Sequence, residues 1–327
     1  PKAGPGEVLV KVKYCGICGT DIHSFKYEGI LFPNTVFGHE IVGTIDEIGE
    51  GVMGFAHGER VFVGPPGLCP EGCLMCRLGR PSICLNGFAR TIGIGPGTQG
   101  GYAEYVLAKY PDRMLIKLPD NVSFEDAVLL DVLSTAYHGY MRSSFRAGHS
   151  AVVVGTGAIG LSMVQILKNA GARHIIALNR SAAKRELALG MGADAAFNPN
   201  EEPDLRHKIF DICEGNGPDV VFECAGSAAT IGLAVELSRP GGQVVIVGTT
   251  PEPLSTITGV QIGLNELDLL GSQAFTEDDI RAVIGMLSKG QIDTKGMLNK
   301  IVKLEDVPET MAELAKTSEV IRYALEP

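Results

Sequence analysis

No stretch of about 18 consecutive apolar residues occurs in the 327-residue chain, and no charged-then-apolar leader opens it. The first absence excludes a helical membrane span, and together they set the expectation of a cytoplasmic protein. Positive charge is also scarce. Against 38 Asp and Glu stand 28 Lys and Arg, a net charge of −10, and phosphate binding needs a clustered basic face. A nucleic-acid partner is therefore not expected. Internal repeats and low-complexity segments are missing too, which leaves folded domains to account for the length. What is present is apolar mass: 45% hydrophobic against 20% charged residues, enough for sizeable cores. A chain this long suits two domains. Its 42 glycines point to many tight turns and close backbone approaches.

Eight cysteines in a large chain do not fit a disulfide scaffold, which belongs to small secreted domains. Four crowd into Cys69–Cys84, and clustered thiols in a reducing compartment point to metal first. Cys213 and Cys224 lie in apolar surroundings and read as buried, inert thiols. The stretch YCGICGTDIH (14–23) holds Cys15 and Cys18, and its spacing alone allows a redox pair, half a zinc site or a buried strand end.

Residues 7–14 (EVLVKVKY) alternate as a half-buried strand, and short, turn-rich strand patterns broken by Gly43, Gly49, Gly51, Gly54 and Gly58 continue to about residue 120. From 150 onward the rhythm changes. Apolar runs at 151–154, 174–178, 220–224, 243–247 and 267–271 alternate with helix-like segments near 158–169, 181–190, 204–214 and 227–238. Near-continuous Val/Ile strands separated by helices mean a parallel sheet covered on both faces. Another helix is expected over 277–289, and the remaining tail has a mixed pattern suited to packing back on the first domain. The first strand starts abruptly at Pro1, so an N-terminal piece is expected to be missing.

The run VVVGTGAIGLSMV supplies G-x-G-x-x-G after a predicted strand and at the start of a helix. Gly155 permits the tight turn, Gly157 lets a pyrophosphate approach, and Gly160 allows close helix–strand packing. With Ala158 and Ile159 between them, the loop presents free N–H groups and a helix dipole to phosphate. At the end of the second strand an acidic residue would bind ribose hydroxyls and repel a 2′-phosphate. This chain has Asn179 there, followed by Arg180, Ser181 and Lys184. Asn179 could bind NAD hydroxyls beside a solvated Arg180. The missing carboxylate favours NADP instead, with Arg180 and Ser181 donating to its phosphate.

Cys69, Cys73, Cys76 and Cys84 fall within sixteen residues, and four thiolates with no water suit structural zinc. Gly67, Gly72 and Gly79 would let this lobe curl around the ion. A second set is dispersed: Cys18, His39, Glu40 and Asp131 are candidates for one open site.

Taken together, G-H-E-x2-G-x5-G-x2-V over Gly38–Val52, C-G-x-C-G-T-D-x-H, the four-cysteine lobe and the glycine loop resemble the zinc-dependent medium-chain alcohol dehydrogenases, from about residue 4 onward. The resemblance implies an α/β fold: a GroES-like irregular β domain (1–130), a six-stranded parallel Rossmann domain (131–270) and a C-terminal return to the catalytic domain (271–327). Strands that usually open the family's first domain are absent before Pro1. It implies Cys18 and His39 as catalytic zinc ligands, with Cys15 in packing. The third ligand matches Asp131, as in the bacterial secondary-alcohol and formaldehyde branches, although Asp131 could instead cap the following helix. Glu40 matches the adjacent carboxylate that approaches the metal, and Asp21 the group that holds the far nitrogen of His39.

By the same resemblance the protein transfers a hydride between an alcohol or polyol and a nicotinamide cofactor, zinc activating the alkoxide or carbonyl. Thr20 would accept the proton, and His23, otherwise a surface histidine, would pass it outward. Two zinc ions per chain, NADP ahead of NAD and a homo-oligomer (dimer or tetramer) are expected. A sugar or amino-alcohol dehydrogenase of the same fold is the alternative. A non-catalytic NADP-binding homologue is a third reading, disfavoured because it would not need Cys18, His39, Asp131 and Thr20 together.

Overall fold

Apolar positions in Val8–Gly16 build the first strand, β1, with Val8, Val10 and Val12 buried and Lys11 exposed. The computed structural model describes residues 1–26, 34–64 and 69–327, so Gly67 lies outside the described residues. The chain divides into two compact units. One comprises Pro1–Asp131, Thr276–Gly290 and Thr294–Pro327, and the other Val132–Phe275 with Gln291–Asp293.

In the first unit β2 (Glu40–Ile48), β3 (Arg60–Val63), β4 (Tyr105–Ala108) and β5 (Leu115–Lys117) join β1 in a seven-stranded mixed sheet. Both edges of β1 draw on distant sequence: β2 pairs along one, and β4 and β13 (Tyr323–Glu326) along the other, where β13 sets Cys15 opposite Leu325. β12 (Lys300–Lys303) lies parallel to β13 at the edge. Val8, Ile41, Ile45, Val61, Val106 and Leu325 form one apolar cluster beneath these strands. Gly43 does not break a strand as its spacing implied; it sits inside β2, where a Cβ would meet the Lys11 carbonyl at 2.1 Å.

The second unit is a six-stranded parallel sheet: β6 (Ser150–Val154), β7 (His174–Leu178), β8 (Ala195–Phe197), β9 (Val220–Glu223), β10 (Gln243–Ile246) and β11 (Asp268–Gly271). The spatial order β11-β10-β9-β6-β7-β8 is that of a doubly wound dinucleotide fold. Helices Ala158–Asn169, Ala182–Met191, Leu205–Ile212 and Ala228–Leu237 intervene, close to the spans expected from sequence. Val152, Ile176, Val221 and Val244 are fully buried, each worth about 1.5–3 kcal/mol relative to exposure. Among the described residues no helix is long and apolar enough to cross a membrane.

Candidate active site

Cys18 precedes the helix Gly19–Lys26, and its carbonyl accepts the Asp21 and Ile22 N–H groups at 3.1 and 3.2 Å. The Asp21 carboxylate reaches back to accept the Cys18 N–H at 2.9 Å. That reciprocal bond is half of a capping box, and it fixes the backbone that carries the thiol. Thr20 is exposed, its Oγ1 3.7 Å from Cys18 Sγ, and His23 is exposed one turn further along.

His39 and Glu40 arrive from the other direction, at the entry to β2. Gly38 before them has φ +95°, and a Cβ there would strike the Tyr102 ring at 2.5 Å and Cys15 Sγ at 2.7 Å. Cys15 is therefore packed beneath the loop in the apolar cluster. Glu40 is wholly buried and lies over Gly16, where any Cβ would fall 2.0 Å from Glu40 Oε2.

One donor atom from each of Cys18, His39 and Glu40 lies within 4.8 Å of the others. Asp131 stands outside this trio, in the first turn of the helix Leu130–Arg142 rather than ahead of it. It still shares their field: desolvation first, then the Glu40 charge, pushes its carboxyl up to about 7. Burial pulls His39 down, but the Cys18 and Asp21 charges outweigh it and raise its pKa well above the ordinary value.

Sequence reasoning missed Arg322. Its guanidinium is buried, donates to the Ile17 carbonyl at 2.8 Å and faces Glu40 Oε1 at 3.1 Å. No local pattern marks it, because it comes from the residues leading into β13. A thiol and three carboxylates (Asp21, Glu40, Asp131) thus surround one arginine and one histidine. His39 Nδ1 and both Glu40 oxygens are buried without a hydrogen-bond partner. Excess negative charge and the unbonded Glu40 oxygens fit a cation, and a soft thiolate with imidazole and carboxylate suits zinc.

The second cluster is tighter. Cys69, Cys73, Cys76 and Cys84 place their sulfurs within 4.8 Å of one another, and all eight cysteines are free thiols. Backbone N–H groups of Cys76 and Leu85 hold the Cys73 thiol down to about 6, while burial pushes Cys76 up to about 12. Four thiolates at this spacing repel, so the set needs a cation to be ionised together. Cys213 is buried as expected, and Cys224, just beyond β9, is partly exposed as a residue while burial holds its thiol well above the ordinary pKa, in keeping with an inert thiol.

In the second unit Gly155 has φ +89° and abuts Ala225, with a Cβ 2.6 Å from that of Ala225. Gly160 presses on the Gly155 carbonyl, leaving 1.9 Å for a Cβ, while beside Gly157 nothing lies within 4 Å. The helix Ala158–Asn169 starts there without a side-chain cap, so the N–H groups of Ala158, Ile159 and Gly160 have no capping side chain. Asn179 Oδ1 accepts the Ser181 N–H at 2.9 Å, and Ser181 caps the next helix. Arg180 is exposed and Lys184 buried. Arg185, not singled out from sequence, donates to the Asn179 and Arg180 carbonyls at 2.8 and 2.7 Å and shapes this turn. Glu223, fully buried, accepts the Ala225 and Gly226 N–H groups and steadies the wall beside Gly155.

Residues 4–120 match the model of the alcohol dehydrogenase GroES-like domain, and 158–289 that of the zinc-binding dehydrogenases. A 2-dehydro-3-deoxy-L-galactonate 5-dehydrogenase of Pseudoalteromonas atlantica is 34% identical over 316 residues, covering 94% of this chain and 88% of its own. The chain belongs to the zinc-dependent medium-chain alcohol dehydrogenases. Sorbitol dehydrogenase of Halalkalibacterium halodurans, another relative of this dehydrogenase, is 29% identical over 328 residues, 100% of this chain and 93% of its own. Among solved structures, alcohol dehydrogenase TADH from Thermus sp. ATN1 superposes with a TM-score of 0.87 at 32% identity, covering 100% and 94%. This medium-chain alcohol dehydrogenase is an NAD(P)-dependent, zinc-dependent oxidoreductase of alcohols or polyols, its two units the GroES-like and Rossmann halves of the fold.

Proposed function

We propose that the dehydrogenase holds two zinc ions per chain, a catalytic one among Cys18, His39 and Asp131 with Glu40 beside it, and a structural one on Cys69, Cys73, Cys76 and Cys84. The convergence of Cys18, His39 and Glu40 within 4.8 Å carries the catalytic centre; Asp131, outside that trio but sharing its field, is assigned from the family resemblance. Zinc in that centre supplies Lewis acidity to a substrate oxygen. The surrounding side chains then have separate tasks. Arg322 keeps Glu40 engaged at 3.1 Å, leaving the third position to Asp131. Asp21, 3.7 Å from His39 Nδ1, sets the imidazole so that its other nitrogen faces the centre. Thr20, beside Cys18 Sγ, receives the substrate hydroxyl proton, and exposed His23 passes it to solvent.

The unit with Val132–Phe275 takes the dinucleotide, its pyrophosphate at Gly155–Gly160, and the unit with Pro1–Asp131 and the C-terminal return does the chemistry. NADP is the preferred cofactor. Support comes from the turn after β7, which offers Asn179, Arg180 and Ser181 and no carboxylate, with Lys184 buried in the helix that follows. The substrate is a small polyol or related hydroxy compound, as the relatives' sorbitol and deoxy-galactonate substrates suggest. Eight free thiols accord with a cytoplasmic protein, and the open edge of β11 with a homo-oligomer.

A panel of alcohols and polyols assayed with both cofactors tests the reading. Turnover is expected with at least one polyol and faster with NADP. Asn179→Asp should reverse that order, weakening NADP by about tenfold or more through charge repulsion. A parent enzyme that uses NAD at least as well as NADP would refute the cofactor assignment.

A further inference from the structure

Tyr102 lies in neither ligand set, yet it meets the catalytic centre through two kinds of bond. Its backbone N–H donates to the Phe37 carbonyl at 2.9 Å, and the neighbouring Gly101 and Gly100 N–H groups donate to Gly38 and Val36. The segment that delivers His39 is therefore laced to residues 100–102. The Tyr102 hydroxyl then continues past this backbone and donates to Asp21 Oδ2 at 3.1 Å. That same oxygen accepts the Cys18 N–H, while Oδ1 is the oxygen facing His39 Nδ1.

Asp21 is a strut between the two ligand-bearing segments: one oxygen is bound to the backbone of Cys18 and the other is aimed at the ring of His39. A carboxylate held by a single donor can rotate about its terminal bond, which is a soft, broad torsion. Two donors converging on Oδ2 fix the plane of the group and leave Oδ1 for the imidazole. Asp21 is 1% exposed, so no solvent stands in for a lost donor.

We propose that Tyr102 is a positioning residue of the catalytic metal centre, its hydroxyl orienting Asp21 so that Asp21 in turn orients His39. This rests on the reading of Cys18 and His39 as zinc ligands. Outer partners of metal-bound histidine typically contribute 10–100-fold to metal affinity, and a group acting through such a partner contributes less. Loss of the hydroxyl should accelerate zinc release about threefold to tenfold.

Tyr102→Phe keeps the ring, which packs 6.1 Å from Phe37, and removes only the donor. Zinc release from the purified enzyme to a chromogenic chelator should show two phases, the catalytic one identified by its absence in Cys18→Ser. In Tyr102→Phe that phase should quicken while the cysteine-lobe phase and the melting midpoint hold. In an Asp21→Asn background the same change should have a much smaller effect, since the two groups act in series. Two parental phases, both unmoved by Tyr102→Phe, would overturn the positioning role alone. So would a lowered midpoint with unchanged release, which marks packing only. A parent with zinc in the lobe and none at Cys18 would overturn the reading of the centre, and the inference with it.

Discussion

Asp131→Ala should empty the catalytic centre of its metal and lower turnover on the order of a thousandfold, because the lost Lewis acidity is worth several kcal/mol. Cys18 and His39 alone leave zinc short of three protein ligands. Glu40 is the nearest substitute, but it is paired with Arg322 and buried over Gly16. Swinging it to the metal would strand the guanidinium without a counter-charge, a costly arrangement for a buried ion. Metal analysis checks the prediction directly: one zinc per chain in Asp131→Ala against two in the parent and in Glu40→Gln. Retention of two ions and normal turnover in Asp131→Ala would give the third position to Glu40.

Cys76→Ser should produce the opposite pattern, with the catalytic ion kept at first and the lobe lost. The lobe has little else to order it. Leu74, Leu78 and Leu85 are exposed, and its helical pieces, Leu74–Arg77 and Pro81–Ile83, are one turn or less. Isolated segments of that length do not hold themselves, so the metal supplies the folding free energy, several kcal/mol by comparison with small zinc domains. Expected are one zinc per chain, a melting midpoint lowered by several degrees and rapid proteolysis between residues 69 and 90. A variant as stable as the parent would mean that the four thiols pack without an ion.

Much of the second unit could be read from residues alone, because a strand buried on both faces must be apolar throughout. The runs at β6, β7, β9 and β10 have no other explanation. β8 escaped: Ala195–Phe197 is a short edge strand whose residues are all half-buried, so nothing in AAF separates it from a loop. In the first unit the cysteines announced themselves by spacing, and His39 with Glu40 by their glycine flanks. Arg322 did not, because its partner Glu40 is remote in sequence and ion pairing leaves no periodic trace. Glu223 was legible in hindsight, an acid closing the apolar run VVFE. Tyr102 was not, since its hydroxyl has meaning only once β1, the Gly38 loop and residues 100–102 have met. A helix was expected directly after Asp131, but its start at Leu130, which puts Asp131 inside the first turn, has no cap residue to mark it.

The pairing of β13 with β1 has a temporal consequence. On the ribosome, Cys18, His39, Asp131 and all six strands of the parallel sheet emerge before residue 322 is made. At roughly 5–20 residues per second, a nascent chain carries its ligand set for about 10–40 seconds before the guanidinium that balances Glu40 arrives. During that interval β1 lacks one of its neighbours, and three acidic groups gather without their arginine. A metal ion captured early would serve as the provisional counter-charge. Zinc supply during synthesis, rather than after release, is then the quantity that should govern the yield of active enzyme.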